Sequence, residues 1–510
     1  MSLGEIMVPV KPTRDRNRLS GKAAHLEKGV GKCLAVQNKL PKKSVDYRRG
    51  TYYWTAKEQA LRIIRQLAIK KLYIQTFGCQ MNVHDSEQIV ALLKPHGYVE
   101  TDRASKADVI LVNTCSIREK AAQKVYSQLG RFSLLKKDKP DLIIGVGGCL
   151  AQQFGKKLLQ RAPFVDLIFG THNNHLLPDL LVKAGTDRAA VVETSFREHV
   201  PSIGFPTSPA QGAISAFVTI MQGCNNFCSF CIVPYVRGRE ESRQPEAIIA
   251  EIRALAEQGI QEVTLLGQNV NSYGSTLAND WNFPKLLKEI DRIDGIRRIR
   301  FTTSHPKDLS DELIACFGSV AKLCEHIHLP VQSGSDQILR RMNRRYTRAD
   351  YINKVEKLRS ACPGISITSD VIVGFPGESE TDFEQTLALM RDVKFDGLFS
   401  FRYSEREGTA ALAYKDKVPD CHKKERLRFL QALQDEHTLE KNKAMVGRDV
   451  LVLAEGYSKN SRAEISGRTP TNRIVNYPGA LSLIGQIIPV RITEAYLHSL
   501  HGEQLEVKEG

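Results

Sequence analysis

Short apolar runs recur along the chain at spacings of one strand-plus-helix unit. Residues 71–76 (KLYIQT), 107–113 (ADVILVN) and 141–146 (DLIIGV) are the apolar stretches that buried parallel strands carry. Helical patterns such as 85–93 (DSEQIVALL) follow them, and the alternation predicts βαβ units on an open parallel sheet. A second series offers six strand candidates, at 214–220, 262–266, 299–303, 326–331, 366–373 and 397–403. Between the first two, 246–258 places Ile248, Ile249, Ile252, Leu255 and Ala256 on one helical face, with Pro245 at its start. Six such units predict most of a TIM barrel, left open. A charged helix at 422–443 follows. Short runs at 450–454, 462–465, 474–476, 486–492 and 505–507, separated by Gly, Ser, Asn and Pro, then predict a small β-barrel.

The fold class is therefore α/β with a small all-β end. The expected divisions are a basic extension at 1–70, an open parallel α/β domain at 71–195, a partial (βα)6 barrel at 213–443 and the terminal β-barrel at 444–507. The segment 196–212 (FREHVPSIGFPTSPAQG) reads as a linker.

Composition narrows the class. The 510 residues are 42% hydrophobic and 25% charged, which excludes a disordered or fibrous chain. Mean hydropathy is -0.28 and no apolar run approaches a membrane span, so a soluble protein with no membrane partner is expected. The formal charge of +15 is concentrated at one end: residues 1–70 hold 16 Lys and Arg against 5 Asp and Glu. That describes a basic arm, either a solvated tail or an RNA contact. No secretory pattern opens the chain. Eleven cysteines without an export signal point to the reducing cytoplasm, where clustered cysteines mean metal or redox chemistry before disulfides.

Two cysteine sets stand out. Cys224, Cys228 and Cys231 (CNNFCSFC) offer three thiolates within eight residues, directly after the first barrel strand. A tetrahedral zinc site wants four ligands, whereas three thiolates suit a [4Fe–4S] cluster with one iron open. Cys79, Cys115 and Cys149 each follow a strand of the first series, and in such sheets ligands gather beyond the carboxyl ends of the strands. Alone, this second set reads as either a metal site or ordinary buried thiols. Gly78, Gly147 and Gly148 beside it are expected to let a bulky ligand approach the backbone. The remaining Cys33, Cys316, Cys324, Cys362 and Cys421 have no cluster-like spacing. His326 and His328 read as structural, with at most one facing a site.

The first motif, with Phe230 before its last cysteine, resembles the signature of radical S-adenosylmethionine enzymes. With the upstream stretches 76–82 (TFGCQMN), 113–119 (NTCSIRE) and 147–150 (GGCL), the chain resembles the radical S-adenosylmethionine methylthiotransferase family. Further matching stretches are 266–274 (LGQNVNSYG), 301–306 (FTTSHP), 328–335 (HLPVQSGS), 340–346 (RRMNRRY) and 370–378 (DVIVGFPGE). The resemblance spans about residues 71–505 and leaves the basic arm outside. Where the family usually shows a second proline-rich turn, this chain has 404–410 (SEREGTA).

This resemblance implies two [4Fe–4S] clusters, one on Cys224, Cys228 and Cys231 and one on Cys79, Cys115 and Cys149, with S-adenosyl-L-methionine as radical source and methyl donor. It implies cofactor-binding positions at Phe230, Gln332, Ser333 and Arg344, although a solvated Arg344–Arg345 pair is the competing reading. Residues 374–378 would shape the cofactor pocket. The terminal barrel resembles a TRAM domain, with Lys459, Arg462, Arg468 and Arg473 as RNA contacts and Tyr457 and Tyr477 as stacking faces; a lid on the enzyme is the alternative. Within the family, 467–477 (GRTPTNRIVNY) looks most like enzymes acting on tRNA. The implied reaction is methylthiolation at C2 of an isopentenylated adenosine beside the anticodon. Its partners would be the tRNA anticodon stem-loop and an electron donor such as flavodoxin or ferredoxin. A methylthiotransferase acting on another tRNA adenosine or a ribosomal-protein aspartate, and a non-catalytic Fe–S electron carrier with an RNA-binding tail, are the rivals.

Overall fold

The computed structural model describes residues 69–115, 119–187, 189–196 and 212–505. The basic arm and most of the expected linker lie outside them.

The first unit is a parallel sheet in the order β2-β1-β3-β4-β5-β6. Its strands are β1 (Lys70–Thr76), β2 (Tyr98–Glu100), β3 (Val109–Thr114), β4 (Ile143–Gly148), β5 (Leu167–Phe169) and β6 (Val191–Glu193). Every residue of β3 and β4 is buried, as a strand covered by helices on both faces must be. The strand order reverses between β1 and β3, and this reversal opens the crevice where doubly wound sheets bind ligands. The sequence pattern located β1, β3 and β4. The other three strands are only three residues long.

The second unit sets β7 (Ser215–Thr219), β10 (Glu262–Leu266) and β11 (Arg298–Thr302) beside β12 (His326–His328), β13 (Ser366–Val373) and β14 (Gly397–Arg402). Within each trio the strands are parallel, and a bridge between Ile299 and Leu323 links β11 toward β12. The result is the expected partial barrel of six βα units. Its helices pack on a large core that includes Ile248, Ile252 and Leu255 of the helix Pro245–Glu257. β12 ends earlier than the sequence pattern suggests. Pro330 has no N–H to give the ladder, so pairing resumes only at the bridge from Gln332 to Val371.

The helix Asp420–Lys443 leads to a closed five-stranded barrel in the order β15-β16-β17-β19-β18. Its strands are β15 (Asp449–Tyr457), β16 (Glu464–Arg468), β17 (Ile474–Pro478), β18 (Ile487–Ala495) and β19 (Leu500–Gln504). The last strand lies at 500–504, not at 505–507, because Leu500 fills the barrel core and fixes the register against β18.

The small barrel docks on the end of the partial barrel where its strands begin. Arg298, first in β11, donates to the carbonyls of Arg468 (2.6 Å) and Leu451 (3.1 Å). Arg300 donates to those of Thr469 (2.8 Å) and Pro470 (3.2 Å). Asp396, just before β14, holds Arg473 at 2.6 Å and Lys441 at 2.8 Å. The cysteine loop lies beyond the opposite end, so the small barrel is not a lid over it.

Candidate iron–sulfur and cofactor site

The carboxyl ends of the adjacent strands β1, β3 and β4 deliver Cys79, Cys115 and Cys149 to one crevice. Cys79 caps the helix Gln80–Leu93, and Cys149 opens the helix Cys149–Phe154. Burial pushes the Cys149 thiol up, against the pull of the nearby Arg237 guanidinium. A buried amide network ties the three strand ends together. Asn113 Nδ2 donates to the Asn82 carbonyl (2.8 Å) and Ser86 Oγ (2.9 Å), and Thr114 Oγ1 donates to the Gly147 carbonyl (2.6 Å). The glycines have a different use from the one expected. A Cβ on Gly147 would meet the Phe169 ring, and one on Gly148, at φ +85°, would meet Thr114 backbone and the Asn113 side chain. They make room for protein, letting strand ends pack, and not for a ligand.

The second triplet lies in the loop closed by the pairing of β8 (Met221–Gln222) with β9 (Glu241–Ser242). Cys224 N–H bonds to the Gly238 carbonyl (3.2 Å) and Cys231 N–H to that of Cys228 (2.9 Å). Asn343 Nδ2 donates to the Phe227 carbonyl (2.9 Å), which fixes Phe227 in its left-handed conformation. Ser229 is gripped by the carbonyls of Met342 (3.0 Å) and Arg341 (2.8 Å). Phe230 packs beside Ile338, Met342, Phe375 and Tyr403.

Burial governs the electrostatics. Without a metal, desolvation pushes the Cys224 thiol up to about 11 and the Cys231 thiol up to about 12, with Cys228 adding to both. Such thiols ionise when a cation takes their protons' place, and a coordinating metal does so outright. Among the described residues no three His, Cys, Asp or Glu crowd a single-ion point. A cubane spreads its thiolates over separate irons, and this donor set suits one.

Around the cysteine loop, at the carboxyl ends of the barrel strands, buried polar atoms lack a hydrogen-bond partner: Asn269 Oδ1, Asn271 Oδ1, Ser304 Oγ and Gln332 Oε1. Gln332 also sits at φ +74°. A polar cofactor carrying amino, carboxylate and hydroxyl groups fits such a rim. Ser333 points elsewhere: its hydroxyl lies 3.4 Å from Thr386 Oγ1 and accepts from Ser335 N–H. Arg344 is no solvated residue. It is buried and donates to Cys228 Sγ (3.3 Å), the Tyr346 hydroxyl (2.9 Å) and the Pro330 carbonyl (2.6 Å). His305 Nε2 lies 3.8 Å from the same sulfur. Burial, then Arg344, push its pKa down to about 2, so the ring is neutral. His326 and His328 share one face of β12 and both reach Thr368 Oγ1, at 3.2 and 3.1 Å. Residues two apart on a strand point the same way, which corrects the expectation that at most one faces a site.

The two triplets face each other across the interface of their units. Cys149 packs with Ile232 and Val236, just after Cys231. Arg237 pairs with Asp85 and acts electrostatically on Cys149, and Arg406 acts so on both Cys231 and Cys115. Glu407 binds Lys157 at 2.6 Å, so the atypical loop 404–410 bridges both units. Arg237, Asp85, His305 and Arg406 were not singled out from sequence, where each is one charged or polar residue among many.

Of the expected RNA contacts, Lys459 and Arg462 are exposed between β15 and β16. Arg468 bonds to Asn472 (3.1 Å) and pairs with Glu455 (3.4 Å). Arg473 departs from the expectation. It is spent on Asp396, Asn442 Oδ1 (3.3 Å) and Thr471 Oγ1 (3.0 Å). Tyr457 is exposed, whereas Tyr477 is fully buried in the barrel core and offers no stacking face.

Three family models match in succession: Uncharacterized protein family UPF0004 at 71–170, the Radical SAM superfamily at 218–390 and the TRAM domain at 443–505. A relative from Syntrophus aciditrophicus (strain SB), described as tRNA-2-methylthio-N(6)-dimethylallyladenosine synthase, is 62% identical over 86% of this chain and 95% of its own length. The chain belongs to this synthase family. Members from Geobacter metallireducens and Geobacter sulfurreducens carry the same description, at 55% and 53% identity over 85% of this chain and 98% and 97% of theirs. Among solved structures, the radical S-adenosylmethionine methyltransferase TsrM from Kitasatospora setae aligns with a TM-score of 0.49 and 14% identity, over 65% of this chain and 72% of that chain. Membership of a radical S-adenosylmethionine synthase family implies one [4Fe–4S] cluster and S-adenosylmethionine. Among the described residues no helix is long and apolar enough to cross a membrane.

Proposed function

We propose that this protein adds a methylthio group to C2 of N6-isopentenyladenosine beside the anticodon of tRNA. The observation that carries the reading is the apposition of two cysteine triplets across one interface, Cys149 packing on the loop that holds Cys231. Cys224, Cys228 and Cys231 would hold one [4Fe–4S] cluster and Cys79, Cys115 and Cys149 a second. Bound there, these groups would supply the electron for cleaving S-adenosylmethionine and a sulfur for insertion, and a second S-adenosylmethionine would supply the methyl group.

The chain's own residues arrange the rest. The unpartnered amide oxygens of Asn269, Asn271 and Gln332, with the Ser304 hydroxyl, bind the cofactor's polar groups, and Phe230 packs the turn that presents Cys231. Neutral His305 and buried Arg344 hold Cys228 in place. Polar side chains of β12 and β13 face the open barrel, where Asp370 lies 3.4 Å from His328 Nε2. They offer a splayed-out adenine its hydrogen bonds. Lys459, Arg462 and Tyr457 on the small barrel bind the RNA backbone and an unstacked base away from the chemistry. A flavodoxin or ferredoxin in the cytoplasm supplies electrons.

The test is anaerobic turnover of reconstituted enzyme with isopentenylated tRNA, unmodified tRNA and ribosomal protein, followed by mass spectrometry. Methylthio gain on isopentenylated tRNA alone is expected. Gain on protein, or cofactor binding without cleavage, contradicts the reading.

A further inference from the structure

Among the described residues, a buried arginine lies near a sulfur of each cysteine triplet, and the two arginines are partnered differently. Arg344 gives its remaining hydrogen bonds to neutral acceptors, the Tyr346 hydroxyl and the Pro330 carbonyl. Arg237 belongs to the cysteine-loop segment of the partial barrel, where its neighbour Val236 packs on Cys149 of the other unit, and its guanidinium acts electrostatically on that thiol. There Asp85, from the helix Gln80–Leu93, accepts from the guanidinium with both oxygens, at 2.6 and 3.4 Å. The backbone under Arg237 is held from the same side. Thr171 Oγ1 donates to the Val236 carbonyl (2.5 Å), and His172 Nε2 lies 3.0 Å from the Arg237 carbonyl. Arg237 and Asp85 are both buried, so water screens their charges little.

A cluster gains one negative charge on reduction. A cation or N–H donor at a ligating sulfur stabilises that reduced state and raises the potential, and an anion beside the cation opposes it. We propose that Arg237 and Asp85 are a positioning pair that sets the reduction potential of a cluster on Cys79, Cys115 and Cys149. Asp85 holds that potential below what Arg237 alone would impose. The proposal rests on the two-cluster reading above.

The test uses the full-length chain carrying Cys224→Ala, Cys228→Ala and Cys231→Ala as parent, so that only the N-terminal triplet takes iron. Dithionite donates one electron per cluster at poised potentials, and electron paramagnetic resonance reads the reduced fraction. Asp85→Asn should move the midpoint potential up and Arg237→Gln should move it down, while Arg237→Lys stays nearer the parent than Arg237→Gln. A merely structural pair would lower iron content without opposite shifts. Unmoved potentials, or shifts of the same sign, overturn the proposal. If Asp85→Asn takes up no iron, the two Arg237 variants decide, and equal shifts in Lys and Gln overturn it. A parent that binds no iron overturns the two-cluster reading and this proposal together. A parent that binds iron while its variants leave the potential unchanged overturns this proposal alone.

Discussion

The two ends of the partial barrel use polar residues in opposite ways. At the carboxyl ends of the strands, Asn269, Asn271, Ser304 and Gln332 bury oxygen atoms with no partner beside a loop of three thiols. At the other end, Arg298, Arg300 and Arg473 are partnered by carbonyls of the small barrel or by carboxylates of the large one. Burying an unpartnered polar atom costs about 1–3 kcal/mol. One end therefore carries a cost that a bound cofactor would relieve, while the other is already a finished interface. Chemistry belongs to the first end and cohesion to the second.

Substitutions at the two ends should fail in different ways. The largest effect is expected at the cysteine loop. Replacing Cys224, Cys228 and Cys231 by Ala should reduce 5′-deoxyadenosine formation to background. Replacing Cys79, Cys115 and Cys149 should leave some 5′-deoxyadenosine yet abolish methylthiolated adenosine, both read by chromatography. Normal methylthiolation in the second variant would make that triplet structural. Next in size is Arg344→Gln, which removes the charged donor at Cys228 Sγ. Outer partners of metal ligands are typically worth about 10–100-fold, and a loss of that order in 5′-deoxyadenosine formation is expected.

At the docking end the readout is stability. Arg300 pairs with buried Glu262 at 2.9 Å, and Arg300→Met would leave that carboxylate alone. Breaking a buried pair costs about 3–5 kcal/mol, so the urea midpoint should fall while cofactor cleavage by the folded fraction persists. An equal loss of cleavage would blur the distinction between the ends.

The smallest effect concerns pH. Burial, then Arg300, push the pKa of His326 well below its ordinary 6.5. The unfolded chain therefore binds a proton that the folded one refuses. Stability present above about 6.5 is lost as pH falls below it, by up to about 1.4 kcal/mol per pH unit. His326→Gln keeps a donor for Thr368 Oγ1 and cannot be protonated, so its acid-side stability profile should be flatter in urea titrations.

The chemistry-bearing end was the more legible from sequence. Cys224, Cys228 and Cys231 share one short loop, so their spacing alone states their proximity. Cys79, Cys115 and Cys149 follow three strands of a recurring βα unit, and topology converts that recurrence into convergence. The strands β10 and β13 fall where their apolar runs ended, because burial dictates those runs. Docking is different. Arg473 and Arg237 look like any surface arginine until another unit folds against them, and their carboxylates lie 77 and 152 residues away in the chain. Tyr477 resembled a stacking residue in a basic loop; only barrel closure shows that it fills the core. The glycines near the thiols misled for a similar reason, since what a missing Cβ makes room for depends on the neighbouring strand.

The central claim is that two separate thiol triplets each hold a four-iron cluster. Iron analysis with Mössbauer spectroscopy on anaerobically reconstituted protein tests it most directly. The account predicts about eight irons per chain in the native sequence and about four in each triple-alanine variant, with cubane spectra throughout. Saturation of the native protein at about four irons, or zinc in place of iron, would contradict it.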